Sequence, residues 1–208
     1  MHTNSVAIAD RVAETVIGFV PQRLAVAETD EQRREIFGLR YRTVIELGWA
    51  RPEEFPGEVE HNEDDEQAIH IGAWEDEELV GGARVVPPTE GRPLPIERDF
   101  EIRTREDDVE VGRTVIVPRL RGATGHALIT ALFAQCWLAM RDRGYTELVS
   151  AIPPRLVEVY RSIGFTIIEL APGRTHWGEE RVPVRFDVID SLPSLTRVWG
   201  EATREGAA

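Results

Sequence analysis

One stretch, residues 108–144, constrains this chain more than any other. Residues 109–117 read as an apolar strand, residues 118–125 as a turn rich in Arg and Gly, and residues 126–143 as a helix. A strand that feeds a helix through such a turn leaves the first amides of the helix without intrahelical partners. They converge near the positive end of the helix dipole, a place that suits an anion. Arg119 and Arg121, close to the first turn glycine, Gly122, add planar donors whose geometry matches phosphate oxygens. A pyrophosphate is therefore the expected guest. On these residues alone, an ordinary strand-to-helix connection with solvated arginines is an equal alternative.

Residues 115–132 resemble the cofactor-binding motif of the GNAT acyltransferase superfamily, in which Arg or Gln, two residues, Gly, one residue, and Gly or Ala open the helix that holds the coenzyme A pyrophosphate. Arg119 and Gly122 match, and Thr124 stands where Gly or Ala is usual. Downstream, Tyr160-Arg161-Ser162-Ile163-Gly164-Phe165 resembles the superfamily's Tyr-x-x-x-Gly-Phe ending. The resemblance implies that the backbone of Val115, Ile116 and Val117 docks a pantetheine arm. It places Arg119, Arg121, Gly122, Thr124 and Gly125 at the donor's phosphates, and Tyr160 where many members protonate the departing thiolate.

Composition bounds the rest. With 24 basic against 37 acidic residues the formal charge is -13, which argues against a sequence-independent hold on nucleic acid or an anionic membrane. A lone cysteine, Cys136, lies on the apolar stripe of the 126–143 helix and cannot form an internal disulfide. No Cys and His spacing suggests zinc, so no metal is expected. No apolar run approaches the ~20 residues of a membrane span. Asp10, Arg11 and Glu14 interrupt the apolar pattern near the N-terminus, which no secretory signal would do. A cytoplasmic protein and a single domain over 1–208 are expected, with an N-terminal helical segment within 1–22 and a frayed tail at 200–208.

In order, the pattern predicts a helix over 5–19, a strand over 23–27 and a helix from Thr29-Asp30 to about Leu47 whose core face holds Ile36, Phe37, Tyr41, Val44 and Ile45. A polar loop over 50–65 precedes a hairpin, 68–74 and 79–86, whose Gly81-Gly82 pair suits a bulge or a closely approaching ligand. A proline-rich connector leads to the central strand. After Gly144 come a strand (147–152), a helix (154–163), a strand (165–170), a loop with His176 and Trp177, a strand (182–189) and a C-terminal helix. This is an α/β mixed sheet with helices on both faces, as in the GNAT fold, where two central strands splay apart at the motif strand to admit the donor.

A narrower resemblance covers the N-terminal half. Arg40, Trp49, Glu60-x-Asn62-x-x-Asp65, Gly81-Gly82-Ala83-Arg84, Pro88, Phe100 and Glu110-x-x-Arg113 resemble the signature of acyl-homoserine-lactone (autoinducer) synthases, a pattern shared loosely with N-acyl amino acid synthases. Three positions depart from it: Asn62 replaces an acid, Gly112 stands where Ser is usual, and Val44 where Phe is usual. The resemblance implies that Arg40, Trp49, Glu60, Asn62, Asp65 and Phe100 shape an acceptor pocket, S-adenosylmethionine being the acceptor in the autoinducer branch. The loss of a carboxylate at Asn62 weakens the case for that cationic acceptor here.

The implied function is N-acyl transfer from an acyl-CoA or acyl-carrier-protein thioester to the amine of a small metabolite. Glu110 is the expected base, ahead of His70 and His126, with Arg84 and Arg113 in ion pairs around it. An Arg84→Ala change is expected to cripple turnover without unfolding the chain. A conventional acetyl-CoA acetyltransferase and a non-catalytic acyl-ligand sensor are the alternatives. Acyl carrier protein is a possible partner, and the sequence leaves acyl length, acceptor identity and oligomeric state open.

Overall fold

A computed structural model describes residues 2–205, without the side chains of residues 2, 3, 123, 124 and 199–205. The elements are α1 (His2–Gly18), β1 (Arg23–Val26), α2 (Asp30–Glu46), β2 (Ile69–Glu75), β3 (Glu78–Val86), α3 (Pro95–Phe100), β4 (Asp108–Ile116), α4 (Ala123–Arg141), β5 (Glu147–Ile152), α5 (Pro154–Ser162), β6 (Thr166–Glu169), β7 (Arg174–His176), β8 (Glu179–Asp187) and α6 (Val188–Glu205). The expected tail at 200–208 falls on residues whose side chains, or whole placement for 206–208, lie outside those described. Among the described residues no helix is long and apolar enough to cross a membrane.

The sheet runs β1-β2-β3-β4-β5-β8-β6, with β7 paired to β8. Its one parallel pair is β4 with β5, and that pairing lasts only three positions, ending at Glu110 opposite Val149. Beyond it β4 continues to Ile116 along β3 and β5 runs to Ile152 along β8, with no further pairing between β4 and β5. The two strands part there, as the resemblance implies. A cleft opens in the gap.

Helices cover both faces. On one, α4 buries Leu128, Ala131, Leu132, Cys136, Ala139 and Met140, a stripe at three- and four-residue spacing. Each fully buried Leu there contributes about 1.5–3 kcal/mol. Cys136 is part of that core, and burial raises its thiol pKa, which leaves it inert. On the other face, α2 starts with a capping box in which Thr29 accepts from the Gln32 amide and the Gln32 side chain bonds back to Thr29 N. Its buried side chains are Ile36, Leu39, Arg40, Thr43 and Val44, whereas Phe37, Tyr41 and Ile45 are only half-buried. The buried face is thus turned from the one expected, because Arg40 finds carboxylates inside.

The Gly81-Gly82 pair serves this two-sided packing. A Cβ on Gly81 would stand 3.3 Å from Leu132 of α4, and one on Gly82 would stand 3.2 Å from Ile36 of α2. Side chains of both helices crowd the strand here, so helix packing, not a ligand, claims the glycines. Three further elements differ from the sequence pattern. α3 lies in the proline-rich connector, opening with Pro95 at its first turn and burying Ile96 and Phe100. α4 begins at Ala123 instead of 126. The stretch read as a loop around His176 is the hairpin of β7 with β8, and β8 ends at Asp187 where α6 takes over.

Candidate active site

Strand β4 carries a bulge where the sheet opens. Gly82 pairs with Val115 and Arg84 with Gly112, so the single residue Ala83 faces both Arg113 and Thr114. Arg113 takes φ +50°, a conformation that costs a non-glycine residue of order 1–3 kcal/mol. The bulge lies beside a cleft of about 750 Å³ that Glu110, Gly112, Arg113, Val115 and Ile116 all line.

Glu110 is held at one end only. Its Oε2 accepts the Ile96 amide of α3 at 2.6 Å, and its Oε1 lies over Gly112, where a Cβ would stand 3.5 Å away. Burial pushes its pKa up to about 7, against the opposing pull of the Arg84 charge and the Ile96 hydrogen bond. The glycine at 112 keeps the free oxygen clear of any side chain.

Arg113 makes no hydrogen bond to a described residue. Its Nε lies 3.3 Å from Glu60 Oε1 but off the hydrogen-bonding direction, and its side chain keeps 20 % of its surface. Its guanidinium stacks on the Trp177 ring at 4.1 Å. Burial brings its pKa down to about 10, opposed by Glu60, so it stays charged at neutral pH.

Beneath these groups is an ion network whose charged groups bond one another, and of its buried side-chain polar atoms only Arg84 Nε and His70 Nδ1 lack a partner among the described residues. Arg40 bonds Glu60 through Nε and grips Asp65 through Nη1 (2.7 Å) and Nη2 (3.1 Å). Arg84 Nη1 donates to Asp65 Oδ1 at 3.2 Å and to Asn62 Oδ1 at 3.1 Å. Burial would raise both acids, but the hydrogen bonds and charges of Arg40, with Arg84 at Asp65 and Arg113 at Glu60, hold them below the usual carboxylate range. Two guanidinium groups thus balance two carboxylates, and Asn62 supplies a neutral oxygen where an acid would add a third negative charge. His70 belongs here too: its Nε2 lies 3.1 Å from the Asp65 carbonyl, and burial lowers its pKa, so its ring is neutral. It is not among the cleft-lining residues.

The remaining predicted residues divide. Arg40, Glu60, Asn62 and Arg84 form the cleft floor, with Trp49 and Phe100 on its walls. Asp65 lies behind that floor. On the donor side the cleft is lined by Arg121, Gly122, Gly125 and His126. Gly125 has no room for a side chain, since a Cβ would stand 2.5 Å from the Leu120 carbonyl. Arg121 meanwhile forms a two-armed pair with Glu46 at 2.8 and 2.9 Å. Arg119 turns away to Glu75 and Glu78, and the Val117 amide is committed to the Val80 carbonyl, so neither residue lines the cleft. The Thr124 side chain lies outside the described residues.

Tyr160 is buried among Phe133, Phe165 and Phe186. With Phe133 it lines both the cleft and a second, mostly apolar cavity of about 60 Å³ bounded by Ala9, Ala13 and Val16 of α1 and Leu195 of α6. Burial raises its hydroxyl pKa, which makes it a weaker acid than an exposed tyrosine.

Sequence reasoning missed several groups. Trp177 and Arg181 come from the β7–β8 hairpin, whose short strands look like loop. Arg181 lies 5.3 Å over the Trp49 ring. Asp64 is 1 % exposed and binds Arg92 at 3.0 Å and Arg98 at 2.6 Å, tying the acidic loop to α3. Its signal was a third acid inside the Glu60-to-Asp65 pattern.

A parted β4–β5 pair, a strand-to-helix turn at its mouth and a cleft between them are the architecture of the GNAT acyltransferases. Residues 35–178 match the family profile described as N-acyl amino acid synthase FeeM. The chain belongs to that family and is an acyltransferase that acts on an amine. No curated protein sequence matches significantly. Among solved structures, BjaI, a CoA-dependent acyl-homoserine lactone synthase with MTA, superposes with TM-score 0.68 at 19 % identity, covering 86 % of this chain and 90 % of its own. The autoinducer synthase LasI gives 0.65 at 17 %, covering 80 % and 91 %. FeeM, an N-acyl amino acid synthase from uncultured soil microbes, gives 0.60 at 16 %, covering 85 % and 96 %.

Proposed function

We propose that this enzyme moves a medium or long acyl chain from acyl-CoA to the α-amine of an amino acid. The observation that carries the reading is Glu110: a buried carboxylate with a pKa near 7, one oxygen anchored and the other free, beside an unbonded Arg113. The amine loses a proton to the free Glu110 oxygen, its nitrogen bonds to the thioester carbonyl carbon, and the carbon–sulfur bond breaks. The thiolate takes its proton from solvent in the open cleft. Arg113 seats the acceptor's carboxylate with its terminal nitrogens.

Charge favours an anionic acceptor over a cationic sulfonium. The floor network is neutral, and Arg113 adds a positive charge beside a Glu110 that is only half ionised at pH 7. The match to the N-acyl amino acid synthase profile supports the same choice. For the donor, likeness to a CoA-dependent relative and the place of Arg121 and Gly125 at the cleft mouth support coenzyme A. The apolar cavity beyond Phe133 and Tyr160 supports a chain longer than acetyl, with Tyr160 serving as wall and not as acid.

The test is a matrix of acyl-CoA lengths against amino acids, read as free thiol and by mass spectrometry of products. Thiol release that requires both substrates, yielding an N-acyl amino acid with preference for longer chains, is expected. Acetyl preference, or acylation confined to sulfonium or carrier-protein substrates, would overturn the assignment.

A further inference from the structure

The connection between β7 and β8 is a two-residue turn, since His176 pairs with Glu179 and only Trp177 and Gly178 lie between. Both have positive φ, +50° and +71°. Hairpin turns with two such residues favour Asn, Asp or Gly at the first position, and a bulky side chain there is an outlier. Trp177 is therefore a poor residue for the turn. Its indole instead covers Arg113, the one cleft guanidinium left without a hydrogen bond among the described residues.

The neighbouring residues hold this tip over the cleft from three sides. A Cβ on Gly178 would stand 2.2 Å from the Trp49 ring, so the turn backbone lies flat against that indole. His176 Nε2 lies 3.3 Å from Asp99, and Arg174 reaches Glu101 at 3.3 Å and lies 5.0 Å over Phe100. The tip thus bridges the β4 bulge, the loop after α2, and α3, which also supplies the amide that anchors Glu110. Each tie is individually weak, about 0–1 kcal/mol for an exposed ion pair and about 0.5–2 kcal/mol for a cation on a ring. Such contacts hold a hairpin closed without locking it.

We infer that the Trp177–Gly178 tip is the lid of the acceptor pocket, and that Trp177 is an acceptor-binding residue. By occupying the face of Arg113 it leaves only the guanidinium edge for a carboxylate, and it screens the path between Glu110 and the thioester from water. This rests on the proposed amine acylation. An open lid has a distinct chemical consequence: water replaces the amine, adds to the thioester carbonyl, and releases free acid and thiol.

The test compares wild type with Trp177→Asn, which suits the turn better and so keeps the hairpin, and with Trp177→Phe. In Trp177→Asn the acceptor KM should rise at least tenfold, the donor KM should stay within about twofold, and acceptor-independent thiol release should increase. Trp177→Phe should recover much of the loss. Titration with the amino acid acceptor should also change tryptophan emission in wild type, and by clearly less in Trp177→Asn, where Trp49 alone reports from the cleft wall, a readout that needs no turnover. Unchanged acceptor KM and unchanged hydrolysis in Trp177→Asn, with an active wild type, would overturn the lid alone. A wild type that acylates no amine and shows no emission change with amino acids would overturn the lid together with the proposed function.

Discussion

Two charged regions meet in this cleft, and they are built on opposite rules. In the Arg40–Glu60–Asp65–Arg84 network the guanidinium and carboxylate groups grip one another, with Arg40 and Arg84 each only 1 % exposed. A few residues away, Glu110 has one anchored oxygen and one free, and Arg113 has a ring on its face but no hydrogen bond. Charge paired in this way is committed to holding the acidic loop onto the sheet, even though Arg84 bonds through Nη1 alone and its Nε has no partner. Unsaturated charge is available to a substrate. The same residue types therefore carry different work, and the hydrogen-bond inventory separates them.

Substitutions should break the two regions differently. Glu110→Gln is expected to lower kcat by roughly 10²–10⁴, the usual worth of a general base. It should not destabilise the fold. A carboxyl whose pKa rises from its ordinary 4.5 to about 7 on folding contributes stability below 4.5 that is lost as pH rises through 7. The melting temperature of Glu110→Gln relative to wild type should accordingly be higher at pH 8.5 than at pH 5, and a reversed trend would contradict the burial argument.

Arg40→Met should act in the reverse sense. Removing one partner of a buried network leaves carboxylates uncompensated and costs about 3–5 kcal/mol, measurable by urea unfolding. Arg84→Ala removes donors from Asp65 and Asn62 and belongs with it, so lost activity there would come with lost stability, unlike the simple outcome expected from sequence. Because Asp65 and Glu60 titrate below their ordinary values, their contribution is present above pH ~4.5 and fades only as pH falls through those lowered values.

Arg113→Met should raise the acceptor KM more than tenfold and, because it removes the 3.3 Å ion pair to buried Glu60 but leaves Glu60 bonded to Arg40, should cost less unfolding free energy than Arg40→Met. A large loss of stability would move Arg113 into the structural network. Tyr160→Phe should have the smallest effect, within about threefold in kcat, because a buried phenol with a raised pKa is a poor proton donor to a thiolate. A hundredfold drop would restore its role as acid.

Much of this was legible in the chain. The strand, turn and helix of residues 108–144 were readable there, because apolar periodicity and turn chemistry are local, and their resemblance to the GNAT motif implied the parted sheet. Readable too was the order of Arg40, Glu60, Asp65, Arg84, Glu110 and Arg113, which the fold gathers around one cleft and its floor. What the sequence could not reveal is which charges are spent on one another. That depends on packing between elements 14 to 25 residues apart, such as the Ile96 amide of α3 against Glu110 and Arg40 against Asp65. α3 itself hid among four prolines whose local signal is that of a connector. Trp177 hid behind β7, a strand of three residues, too short for any period to show. The Gly81-Gly82 pair suggested a bulge or an approaching ligand: the β3–β4 register does shift beside Gly82, but what crowds the glycines is α2 and α4, which only packing could tell.

The pH dependence of kcat/KM for the acceptor, in wild type and in Glu110→Gln, tests the central claim most directly. The account predicts a wild-type rate that climbs through a limb near pH 7 as Glu110 ionises, and a slow variant from which that limb is gone. A Glu110→Gln enzyme with wild-type rates and the same limb would contradict it.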